Sequence, residues 1–141
     1  MKGLINMPLP SAPIPSFQKG SRLLNGSDVQ KLSDLIGSTQ IGITAQADGT
    51  KANATQLNAA ICEVTTVAGA ADSVLLPLGY AGLRVTIVNN GGNAMQVFGK
   101  GSDIIDDVAT GTGVSQADDS LVTYVCVKVV SGVGYWYSTG F

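Results

Sequence analysis

Carboxylates are the one abundant group in this chain able to do chemistry. Its 141 residues hold ten Asp and Glu, two Cys and no His. Lacking histidine, the chain lacks the commonest general base and the commonest metal ligand. Ser–His–Asp and Cys–His arrangements are excluded outright. The acids gather in two places: Asp103, Asp106 and Asp107 in SDIIDDVA, and Asp118 and Asp119 in ADDS. Neighbouring residues on a strand point to opposite faces, so a DD pair is a poor route to two cooperating carboxyls. Calcium needs several oxygens converging from these loops, and glycoside hydrolysis needs two carboxyls facing across a sugar. The plainer reading is a set of solvated loop acids. The Gly-rich text ATGTGVSQ lacks the Lys and the following helix of a phosphate loop.

Two other groups need weighing. Cys62 and Cys126 lie inside the apolar runs AAICEV and TYVCVK, where a thiol packs as a small hydrophobe. Two cysteines without histidine do not complete a metal site, so neither a metal nor a cofactor is expected. In the terminal GYWYSTGF, Tyr135 and Tyr137 share one face of a strand and Trp136 takes the other. Packing on a sheet explains them; a sugar-stacking patch is the functional rival.

The elements that would carry these groups divide the chain in two. Pro8, Pro10, Pro13 and Pro15 stiffen the start and bias it to extended backbone. This leader also carries Leu4, Ile5, Met7, Leu9, Ile14, Phe17, Leu23 and Leu24, too many large apolar groups for a solvated tail. They pack along the chain's own body, lie on another protein, or serve as a Pro-rich ligand. The second reading, a partner-binding anchor, is the one adopted. A short helix is expected over SDVQKLSDLIG, with Ser27 and Gln30 as a capping box and Val29, Leu32, Leu35 and Ile36 as an apolar stripe. The expected division is therefore 1–37, arm and helix, and 38–141, a β body.

From residue 38 onward, runs rich in Val, Ile, Thr and Tyr alternate with Gly, Asn, Asp and Ser clusters. Strands are expected near 40–46, 56–67, 73–76, 83–90, 94–98, 103–108, 120–130 and 134–139. About eight short strands in this rhythm predict an all-β sandwich or barrel. NNGGN, between VTIV and AMQVF, reads as an uncharged hairpin corner rather than a site. SLVTYVCVKVV is apolar on both faces, which calls for a neighbouring subunit, a docked arm or a second internal layer.

Composition sets outer limits. Charged residues make up 13% of the chain, against about 25% in a typical domain, and a surface so short of charge is poorly guarded against association. The net charge of −2 and scattered basic residues argue against nucleic acid. No run approaches the roughly 18 apolar residues of a membrane helix. MKGLINMPLP lacks the apolar core of a secretory signal, so synthesis in the cytoplasm is expected and the NGS and NAT sequons read as accidents.

The body resembles a small β-domain of tailed-bacteriophage structural proteins. The text that carries the likeness is ITAQADGTKANATQLNAAICEVTTV, then DSVLLPLGYAGLRVTIVNNGGNAMQVFGKGSDIIDDVA, then a Val-rich strand and GYWYS. The resemblance implies a head decoration, cement or head-fibre subunit. It implies a β-sandwich or jelly-roll homotrimer seated on the capsid surface, with the major capsid protein or neighbouring virion proteins as partners. It implies no catalysis. A tail- or portal-associated subunit and a host-surface glycan-binding module are the alternatives.

Overall fold

A computed structural model of the chain describes residues 37–139. The proline-rich leader, its anchor residues Leu4, Ile5, Met7, Leu9, Ile14, Phe17, Leu23 and Leu24, and the helix expected over 27–36 lie outside that span.

Ten strands form among the described residues: β1 Thr39–Thr44, β2 Thr55–Gln56, β3 Ile61–Thr66, β4 Ser73–Leu75, β5 Arg84–Asn89, β6 Met95–Phe98, β7 Ile104–Ile105, β8 Val114–Gln116, β9 Ser120–Val130 and β10 Val133–Thr139. They build a six-stranded sheet in the order β1-β3-β5-β9-β10-β7 and a four-stranded sheet in the order β2-β4-β6-β8. The all-β, two-sheet expectation holds for the described residues. Eight expected strands become ten because 56–67 breaks into β2 and β3 and because β8 is added.

The winding differs from a jelly roll. A jelly roll is built of Greek keys, which are antiparallel. Here β1–β3, β3–β5, β2–β4, β4–β6 and β7–β10 are parallel. Only β5–β9, β6–β8 and β9–β10 are antiparallel. Parallel neighbours need a crossover connection, usually a helix. In the first four of these parallel pairs the crossover is a strand of the opposite sheet, and the path steps from sheet to sheet through β1 to β8.

The same winding corrects the hairpin expected at NNGGN. β5 and β6 belong to different sheets, and the loop carries the chain across the edge of the sandwich. A hairpin and such a corner ask for the same residues, because both need positive φ; Gly92 has φ 92°. Among the described residues, the one tight hairpin joins β9 to β10 through Ser131 and Gly132, both at positive φ, as a type I′ turn requires.

Alternation drives the packing. Cys62, Val64, Val85, Ile87, Tyr124, Cys126 and Trp136 point from the larger sheet into the core, against Leu57, Val74, Leu76, Met95 and Val97 from the strands and connections of the smaller one. Each large aliphatic side chain so buried contributes roughly 1.5–3 kcal/mol before entropy is counted.

Candidate functional site

Asp103, expected to be a solvated loop acid, is buried. It accepts the Gly134 N–H on Oδ1 at 2.7 Å, and the Gly79 N–H and the Trp136 indole N–H on Oδ2 at 2.7 and 3.1 Å. A buried carboxylate is tolerated where fixed donors satisfy it. One side chain thus ties the loops at 79 and 103 to β10. Asp72 is buried as well and caps the turn at Ala68 and Gly69 through their N–H groups.

Asp106, Asp107 and Asp118 also brace loops, whereas Asp119 is exposed, as expected of a solvated loop acid. Asp106 accepts from the Ser138 N–H and hydroxyl at 2.8 and 2.6 Å. Asp107 accepts the Tyr137 phenol at 3.0 Å, which pushes that phenol's pKa up. Asp118 accepts the Gly92 N–H at 2.8 Å, which fastens NNGGN to the β8–β9 turn. Within that corner, Asn89 is fully buried. Its amide donates to the carbonyls of Asn93, Gln116 and Ala117, and its oxygen accepts from the Gly91 N–H. The opening between VTIV and AMQVF is a stitched corner with its polar groups committed to structure. Among the described residues, no group of three or more His, Cys, Asp or Glu is placed to hold a metal ion.

A cleft of about 300 Å³ opens beside β8, lined by Asp106, Val114, Gln116, Ser120, Tyr124 and Ser138. The polar side chains of Asp106, Gln116, Ser120, Tyr124 and Ser138 bond to one another or to backbone. The Tyr124 hydroxyl donates to Gln116 Oε1 at 3.1 Å, and Gln116 Nε2 donates to the Ile87 carbonyl at 3.0 Å. Burial, and then the Asp106 charge, hold the Tyr124 pKa far above its ordinary value.

Trp136 is fully buried, while Tyr135 and Tyr137 are half-buried on the opposite face. The two-face reading of GYWYSTGF holds, and the indole is not available to stack on a sugar. Cys62 and Cys126 are free and buried, with burial raising both thiol pKa values.

What stays uncommitted is the outer face of the six-stranded sheet. Registers align three rows across it: Glu63–Val88–Leu121, Ile61–Thr86–Thr123 and Arg84–Val125–Tyr137. Leu121 is 58% exposed and Ile61 46%, and Ile41 on the edge strand β1 is 75% exposed. Beyond this face, β9 and β10 run on as a two-stranded ribbon with Val127, Val129 and Val130 exposed. The second apolar side of β9, legible in SLVTYVCVKVV, is therefore an outward surface.

Protein families, curated proteins and solved structures offer no match to this chain. The candidate site is one broad apolar sheet face on a body whose buried polar groups brace its loops. The Asp103 network and the Asn89 staple were missed in the sequence. Gly134 within an aromatic strand was the one available signal, since a side chain there would displace Asp103.

Proposed function

We propose that this chain is a non-enzymatic structural protein of a tailed-phage virion, a capsid decoration or cement subunit held to the head through residues 1–36. The observation that carries the reading is a division of labour. Asp72, Asp103, Asp106, Asp107, Asp118 and Asn89 are taken up in bracing loops, while large apolar side chains stand exposed on the outer sheet face; the leader sequence adds eight more large apolar residues. A subunit that reinforces a shell needs a stiff body and a means of attachment, and no reacting group. The resemblance of the body text to phage head proteins supports the same role.

A proline-stiffened leader loses less conformational entropy on binding than a flexible one. Several leaders presented by one oligomer bind a repeating lattice with added avidity. Removing residues 1–26 tests the attachment. The truncated chain is expected to stay folded and soluble and to lose binding to undecorated shells. Undiminished decoration by the truncated chain contradicts the anchor.

A further inference from the structure

The outer face of the six-stranded sheet is nearly bare of charge. Across the three aligned rows it shows Ile61, Val88, Leu121, Val125 and Tyr137 beside Thr86 and Thr123, and only two charged side chains, Glu63 and Arg84, with Asp107 reaching the Tyr137 phenol at the far end of the Arg84 row. Apolar faces of this kind mark protein contacts. The two charges stand at opposite ends: Glu63 on the Leu121 row, Arg84 on the Val125 row, with the Ile61–Thr86–Thr123 row between them. Neither meets an opposite charge within the described body. Arg84 is exposed and its guanidinium has no partner among the described residues, and Glu63 accepts only the Asn90 amide at 2.8 Å.

This pattern is complementary to itself. Rows two residues apart lie about 6.8 Å from each other, neighbouring strands about 4.8 Å, and stacked sheets about 10 Å. A two-fold axis laid along the Ile61–Thr86–Thr123 row exchanges the outer rows. Arg84 of one copy then stands over Glu63 of the other, offset by about one strand, within reach of a guanidinium. Leu121 and Val125 share β9, so the same rotation sets Leu121 of one copy on Val125 of the other. Isologous contacts need a patch that answers itself in this way.

We propose that two copies of this chain pack through the outer face of the six-stranded sheet, with reciprocal Arg84–Glu63 pairs and reciprocal Leu121–Val125 contacts on either side of an axial Ile61–Thr86–Thr123 row. The pairing deepens the structural-subunit reading by naming the copy as a partner, and it rests on that reading for its purpose. It does not need the shell, so it is tested separately.

The experiment is sedimentation velocity on the full chain over a concentration series, with Arg84→Glu, Glu63→Arg and the double reversal. The wild type is expected to sediment as two copies. Each single reversal is expected to weaken the pair about tenfold or more, by placing like charges together. The double reversal is expected to restore it, which a folding defect would not do. A wild type that stays monomeric overturns the proposal, whether the face is bare or covered by residues 1–36. A three-copy mass overturns the two-fold. So does a two-copy mass indifferent to the reversals, or a double variant no better than the singles. Shell binding measured on the same proteins reports on the attachment alone.

Discussion

Asp103 accepts the indole N–H of Trp136 at 3.1 Å, and both are buried. The bond joins a turn ahead of β7 to the last strand of the same sheet, and the Gly79 N–H meets the same carboxylate oxygen. Replacing Asp103 by Asn sets an amide N–H₂ against at least one backbone donor. Loss of a charge-assisted bond plus a stranded donor costs about 2–4 kcal/mol. Urea denaturation is expected to show that drop for Asp103→Asn, and a larger one for Asp103→Ala, with all three donors stranded.

Two glycines exist to admit this carboxylate. A Cβ on Gly134 would stand 2.8 Å from the Asp103 carboxylate, and one on Gly79 would stand 2.9 Å from Asp103 Oδ2, Cys126 Sγ and Trp136 Nε1. Gly134→Ala and Gly79→Ala are expected to destabilise the body by about 2 kcal/mol or more, as overpacking does. Gly92→Ala meets open space and only the strain of φ 92°, so its cost is expected near 1 kcal/mol. Thermal melts of the three variants give the ranking.

Ser73 carries the opposite sign. Its hydroxyl is buried with no hydrogen-bond partner among the described residues. Removing an unsatisfied buried group recovers its desolvation cost. Ser73→Ala is expected to be neutral or to stabilise by about 1 kcal/mol, and a clear loss of stability in the same denaturation assay contradicts the orphaned hydroxyl.

Much of this body is legible from its text. Six expected strands, 40–46, 73–76, 83–90, 94–98, 120–130 and 134–139, match β1, β4, β5, β6, β9 and β10 closely, while 103–108 shrinks to the two-residue β7. VSQ at β8 escapes because three residues with two polar ones carry no period. The parallel winding escapes for a different reason: NNGGN serves a hairpin and a sheet-to-sheet corner equally, and only Asn89 reaching the Gln116 and Ala117 carbonyls decides between them. Asp103 reads as a loop acid because its donors come from residues 24 and 31 positions away. The outward β9 face was visible in SLVTYVCVKVV, whereas the placement of Glu63 against Arg84 needed the register.

Alkali should unfold the protein in a defined window. Burial holds the Tyr124 phenol and the Cys62 and Cys126 thiols above their ordinary pKa values. Their unfolded forms ionise from about pH 8.5 for the thiols and about pH 10 for the phenol. The unfolded state then binds fewer protons than the folded one, so stability falls as pH rises. Stability is expected to be level below pH 8 and to decline above it, and Tyr124→Phe is expected to flatten the decline beyond about pH 10. A thiol reagent at neutral pH is expected to label neither cysteine until denaturant is added.

Counting copies of this chain in purified phage particles tests the proposed virion role most directly. A decoration subunit predicts tens to hundreds of copies per particle, all removable from the outer surface of intact heads. A dozen or fewer moves the protein to the tail or portal, and its absence from particles contradicts the account.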